Sequence, residues 1–243
     1  MQLTPIQEKI KTKALRHAQS HKKSIAKRLT DTQLFLPEAE PVSLFMAGSP
    51  GAGKTETSIA LLEDFDSSGF RTLRIDPDEL RGEFEDYSGA NSWLFQGAVS
   101  ILVEKIHDLA LKQKQSFILD GTLSNFDKAK TNIERSLKKR RPIQILYVYQ
   151  KPQLAWDFVQ KREKVEGRRI RLENFVTQYF SSRQVVYDLK REFGDRIKVD
   201  LLIKDNDGAT RSYHANTNSI DSYIREKYNE SSLRDMLSAG VNR

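Results

Sequence analysis

From Pro5 to about Leu29 the apolar residues Ile6, Ile10, Ala14 and Ala18 recur at intervals of four, with Leu15 beside them and basic residues elsewhere. That spacing predicts an amphipathic helix. The stretch TDTQLFLPEAEP then breaks the rhythm with Pro37 and Pro41 and reads as a linker. Beyond it, short apolar runs alternate with longer helical patterns. VSLFMAG, FRTLRID, SFILDG, IQILYVY and KVDLLIKD read as strands. Helices are predicted over 54–66, 91–115, 127–140, 153–164 and 172–193, with a closing helical tail over 218–237. Short apolar strands separated by helices imply an α/β fold, a parallel five-stranded sheet with helices on both faces. The expected organisation is a basic helical segment and linker over 1–37, followed by one domain over 38–243.

Composition narrows the class without changing that picture. The 243 residues are 38% hydrophobic and 30% charged, and no run approaches the roughly twenty apolar residues of a membrane span. The N-terminus has no continuous apolar core of a secretory signal, and there is no cysteine. The chain is therefore read as cytoplasmic, with no membrane partner, no disulfide and no thiolate metal site. Net charge is +7, concentrated in the first thirty residues and in Lys138–Arg141. Aromatic interleaving of the kind that stacks bases is absent, which favours a solvated basic face over a nucleic-acid partner, without excluding the latter.

Candidate chemistry begins at AGSPGAGKTETS. Gly48, Ser49, Pro50, Gly51, Ala52, Gly53, Lys54 and Thr55 fit G-x-x-x-x-G-K-[ST], between a strand and a helix, with Glu56 next in line. In that context backbone N–H groups converge on phosphate oxygens at a helix N-terminus. Lys54 is expected at the β and γ phosphates and Thr55 at Mg²⁺, with ATP as the nucleotide.

Two strand ends carry acids. In Ile75-Asp76-Pro77-Asp78-Glu79 the layout of Asp76, Pro77 and Glu79 is that of a capping box, which leaves Asp78 to take a proton from an acceptor hydroxyl. Asp120 closes the third strand, where a carboxylate reaches the metal directly or through water, and Thr122 stands where it can bond a bound hydroxyl. Lys161, Arg162, Arg168, Arg169 and Arg171 surround Gly167 and offer guanidinium groups to a transferring phosphate. His17 and His21 have metal-pair spacing but no third ligand. His107 and His214 are expected on a helix surface or in a loop, and Trp93, Phe95 and Trp156 in the core or a pocket wall.

The phosphate loop, IDPDELR, ILDGTL and the arginine-rich connection together resemble the zeta toxins over about residues 42–202. These are bacterial P-loop kinases of toxin–antitoxin systems that phosphorylate the 3′-hydroxyl of UDP-N-acetylglucosamine. The resemblance implies that Lys54 and Thr55 are the phosphate-loop pair, Asp78 the catalytic base, and Arg162 and Arg169 the catalytic arginines. It further implies that Arg81, Glu104, Asp120 and Thr122 meet the substrate, and that an antitoxin is a partner. Where relatives often carry His-Pro after the base motif, this chain reads GEFEDYSGANSW. Two rivals stay open: a P-loop kinase of a nucleic-acid end, a nucleoside or an antibiotic, and a nucleotide-dependent binding module without transfer.

Overall fold

Thr4 opens helix α1 (Pro5–Leu29) with a capping box, accepting from the Gln7 amide at 3.3 Å while its own N–H donates to Gln7 Oε1 at 2.9 Å. The structure is a computed structural model that describes residues 3–67, 69, 71–167, 170–205 and 210–239. The buried face of α1 is Ala14, Ala18, Ile25 and Ala26. Such small side chains let it lie close along α3 (Gln96–Lys112), where a Cβ on Gly97 would come within 3.3 Å of Leu15 Cδ2. Ile6 is 73% exposed, so the apolar stripe expected to start there begins at Ile10.

Six strands form one sheet in the order β2-β3-β1-β4-β5-β6. They are β1 (Ser43–Ala47), β2 (Leu73–Ile75), β3 (Phe117–Leu119), β4 (Ile143–Tyr149), β5 (Lys198–Lys204) and β6 (Thr210–His214). The first five run parallel, as expected; β6 is an added antiparallel edge strand. Its sequence, TRSYH, is mostly solvent-facing and carries no apolar run to reveal it. Tyr213 ties it down by donating to the buried Asp200 carboxylate, which also accepts from the Asn216 amide at 2.7 Å.

Side chains of β1 alternate between two cores, as a pleated strand requires. Phe45 and Ala47 join the larger one with α1, α3, α4 (Phe126–Lys138) and α6 (Leu172–Phe193). Leu44 and Met46 join a smaller one with Leu61, Leu62 and Phe65 of α2 (Lys54–Ser67). Helix α5 (Pro152–Glu166) follows β4, and α7 (Glu230–Ala239) packs against α6 through the buried Leu233 and Leu237.

Four further sequence expectations need correction. The helix expected from residue 91 begins at Gln96, after a 3₁₀ turn over Gly89–Phe95. The tail expected to be helical from residue 218 holds a 3₁₀ turn at Ile220–Ser222 and becomes a helix only at Glu230. The buried pair Ile220 and Ile224 imitates helical spacing without a helix to carry it. His107 is not a surface residue: it is 1% exposed on α3, edge-on to Phe117 at 4.8 Å, and burial with Arg135 and Arg141 nearby lowers its pKa to about 3. Likewise Arg141 is no solvated cation. It is buried and donates to the Val42 and Gln115 carbonyls at 2.8 and 2.5 Å. His214 lies on β6 and stacks on Tyr223 at 3.9 Å.

Candidate active site

Among the described residues, the phosphate loop, Asp78, Arg81, Asp120 and Thr122 follow the C-terminal ends of parallel strands, the side on which open α/β sheets bind ligands. After β1 the chain turns through Gly48, Gly51 and Gly53 with φ of +131°, +71° and +87°. Gly48 and Gly51 are also required by space: a Cβ would come within 2.3 Å of the Val148 carbonyl at the first and 2.1 Å of the Ala155 carbonyl at the second. The turn therefore nests against β4 and α5. Gly48 N–H donates to the Thr122 carbonyl at 3.3 Å, joining the loop to the segment after β3. Thr122 also meets Ser124 through its hydroxyl at 3.0 Å. Lys54 is buried and donates to the Gly48 and Ser49 carbonyls at 3.0 and 2.7 Å. Thr55, half-buried, opens α2 beside it, and Glu56 is exposed on the same turn.

The tips of β2 and β3 are locked to α2 by Arg74. Its Nη2 donates to Asp120 Oδ2 at 2.7 Å and to Asp76 Oδ2 at 2.5 Å, its Nη1 to Glu79 at 2.5 Å, and its Nε to the Ser58 hydroxyl at 2.9 Å. Ser58 closes the ring, with its hydroxyl 2.8 Å from Asp120 Oδ2. Arg74, Asp76 and Asp120 side chains are each under a tenth exposed. Burial works against the Arg74 cation, yet Asp120, Asp76 and Glu79 outweigh it and raise its pKa. Burial likewise pushes the Asp76 carboxyl up to about 6, against the Asp78 amide and Arg74, which pull it down. The capping expectation is not met: the 3₁₀ turn starts at Glu79 with Asp78 as its N-cap, Asp76 Oδ1 accepts from the Asp78 amide at 2.7 Å in the turn before it, and Glu79 turns to Arg74.

With Asp76 occupied, Asp78 stands at the start of the 3₁₀ turn Glu79–Glu83, about a third exposed, paired with Arg81. Arg81 is itself mostly buried, which fixes the carboxylate's orientation from behind. The end of α5 comes close to the segment that follows Asp78. Gly167 ends α5 at φ +70°, and a Cβ there would lie 3.9 Å from Ala90 N. Arg162 is half-buried on α5, and Arg171 precedes the first residue of α6. Arg168 and Arg169 lie outside the described residues. Trp93 is 50% exposed in the Gly89–Phe95 turn, in the position of a wall, whereas Phe95 and Trp156 are core. Glu104 is the exception to the clustering. It is exposed on the α3 face shared with Ser100 and Asp108, which reach Lys128 and Arg135 of α4.

Three residues of this site escaped the sequence reading. Arg74 and Ser58 sit inside an ordinary strand and an ordinary helix, and only the fold brings them to Asp120. Lys204 ends β5, where a register shift between Ile203 and Lys204 redirects the chain, and a Cβ on Gly53 would lie 3.4 Å from Lys204 Cε. A lysine stem thus lies across the phosphate loop. The cavity of about 450 Å³ between α3 and α4 is a different place, and its Lys112, Arg135 and Lys138 sit in the last helical turns, where cations complement terminal carbonyls.

A model of the family described as zeta toxin matches residues 25–218. The chain belongs to the zeta toxin family. Most of α1 precedes the span that this zeta toxin shares with the family model. Among solved structures it is similar to one from the PezAT chromosomal toxin–antitoxin system of Streptococcus pneumoniae, at TM-score 0.65 and 15% identity, covering 93% of this chain and 94% of that one. It also resembles the AvrRxo1-ORF1:AvrRxo1-ORF2 complex with sulphate ions (TM-score 0.59, 16% identity, 90% and 72% covered) and the complex with ATP (0.57, 17%, 87% and 67%). At these identities the likeness establishes the P-loop kinase fold. No curated protein matches this zeta toxin. No helix among the described residues is long and apolar enough to cross a membrane.

Proposed function

We propose that this zeta toxin is an ATP-dependent kinase that moves the γ-phosphate to a sugar hydroxyl, with UDP-N-acetylglucosamine as acceptor. The observation that carries the reading is the Arg74 lock, which holds the Asp76–Asp78 segment and Asp120 against the first turns of α2. Loop amides and Lys54 receive the phosphates. Asp78, oriented by Arg81, takes the proton of the acceptor hydroxyl as its oxygen bonds to the γ-phosphorus. The bond from that phosphorus to the β–γ bridging oxygen breaks, and ADP leaves. Arg162, together with Arg169 as the family resemblance implies, would neutralise charge on the transferring group. Lys204 supplies a further cation at the rim of the loop.

Magnesium fits the donor set. Thr55 offers a hydroxyl and Asp120 a carboxylate, and a magnesium site completed by phosphate oxygens and water needs few protein ligands. When bound, the ion would neutralise charge on the β and γ phosphates. No cluster of three acidic or histidine ligands exists among the described residues, in keeping with such a sparse site. Thr122 and Arg81 are proposed as acceptor contacts; Glu104, on the α3 face turned to α4, is not brought to the site. An antitoxin protein is the proposed partner, by analogy with the PezAT toxin–antitoxin system. With ATP and a nucleotide sugar as substrates, the proposed reaction would take place in the cytoplasm.

The deciding experiment incubates the protein with labelled ATP and a panel of nucleotide sugars, nucleosides and nucleic-acid ends, beside Asp78→Asn. Label on UDP-N-acetylglucosamine, reduced about 10²- to 10⁴-fold by the substitution with ATP affinity retained, supports the proposal. Label on another acceptor reassigns the substrate. ATP binding with no labelled acceptor, unchanged in Asp78→Asn, rejects phosphoryl transfer.

A further inference from the structure

Helix α1 grips the segment that carries the proposed base. Arg28 Nη2 lies 2.7 and 2.8 Å from the two carboxylate oxygens of Glu83. Lys13 reaches Asp86 at 2.9 Å and Glu85 at 3.3 Å, and these partners raise its pKa. Between them His17 meets the Phe84 ring edge-on at 5.6 Å. Phe84 is buried and passes the contact inward to Phe95 at 5.4 Å, which in turn holds Tyr87 at 5.6 Å. All of these partners belong to the 79–95 stretch that joins Asp78 to α3. From the other side Gly167 abuts Gly89 and Ala90. The stretch contains two 3₁₀ turns and no longer helix, so few backbone hydrogen bonds of its own fix its shape. Its acids Glu83, Glu85 and Asp86 are matched to basic residues on α1, most of which precedes the span shared with the family model.

The geometry points to α1 as an acceptor-side clamp: Lys13, His17 and Arg28 are positioning residues that hold the 79–95 wall, and with it Asp78, in register with the phosphate loop. This rests on the proposed kinase reading for its kinetic consequence, though not for its mechanical one. Two of the N-terminal basic residues, Lys13 and Arg28, then have a specific use, directed at one wall. Loosening the clamp disturbs acceptor binding and leaves the nucleotide loop intact, because that loop is braced by the Val148 and Ala155 carbonyls and by Thr122.

The test combines Lys13→Glu with Arg28→Glu, and adds Glu83→Arg with Asp86→Lys to restore opposite charges. Each exposed pair is weak alone, which is why both are reversed together. Amide exchange by peptide should rise about fivefold or more over 79–95 in the first variant, stay unchanged over 48–58, and return to the wild-type rate in the four-site variant. With UDP-N-acetylglucosamine as the probe acceptor, its KM should rise several-fold at unchanged KM for ATP, and recover with the charge reversal. The milder pair Lys13→Gln and Arg28→Gln should show the same pattern in smaller measure if the reversal impairs folding. Unchanged exchange over 79–95, or no recovery on charge reversal, overturns the clamp. If UDP-N-acetylglucosamine is not phosphorylated by the wild type, the acceptor assignment fails, while the exchange measurements still decide the clamp.

Discussion

Arg74 donates to Asp120 at 2.7 Å across the boundary between β2 and β3, and both side chains are nearly sealed from solvent. A buried cation shared among Asp120, Asp76 and Glu79 is worth most as a device of position. Removing it leaves acids uncompensated, so Arg74→Met should destabilise by about 3–5 kcal/mol in urea unfolding. Asp120→Asn keeps the shape and should cost less. If Arg74→Met unfolds at the wild-type midpoint, the lock does not hold the site together.

The phosphate loop should tolerate no side chain at two of its glycines. Gly48→Ala and Gly51→Ala each drive a Cβ into a backbone carbonyl, at 2.3 and 2.1 Å, and each position has positive φ. Both variants should lose ATP binding by calorimetry, at least tenfold. Gly82→Ala, where a Cβ meets nothing within 4 Å, is the control and should bind ATP as the wild type does.

Lys204 lies beside Gly53 with its stem, and its ammonium is proposed to meet phosphate oxygens at the loop. Lys204→Met preserves the stem and removes the charge. ADP and ATP affinity should fall about tenfold, in the range of one charge-assisted hydrogen bond, while adenosine affinity stays constant. Equal losses for adenosine and ATP would assign Lys204 to shaping the loop.

Acid stability should carry the mark of His107. Its pKa falls from 6.5 to about 3 in the fold, chiefly by burial, so below pH 6.5 the unfolded chain takes up a proton that the folded chain refuses. Stability from this group is complete above pH 6.5 and is lost as pH falls towards 3, by about 2 kcal/mol at pH 5. His107→Leu, set among Phe45 and Phe117, removes that dependence, and urea midpoints should decline less steeply between pH 7 and 4.5.

Much of this was legible in the chain because local pattern and tertiary role coincide in it. The glycine-lysine-threonine loop needs its own residues whatever packs around it, and parallel strands buried on both sides must be apolar runs. What stayed hidden depends on distant partners. Arg74 looks like a solvent-facing residue of a strand until the fold sets Asp120 and Ser58 around it, and β6 has no apolar run because only its backbone and Tyr213 bind the sheet. His107 shows the reverse error: a histidine on a helix reads as surface until its neighbours prove to be two phenylalanines.

Lys54 deserves different treatment from the other phosphate-loop positions because its ammonium already grips the Gly48 and Ser49 carbonyls. It is a strut before it is a ligand. Truncating it removes the tie to those carbonyls and the charge in one stroke, so the loss seen in such a variant mixes the two. Exchange for arginine, which preserves charge while altering reach, separates the two.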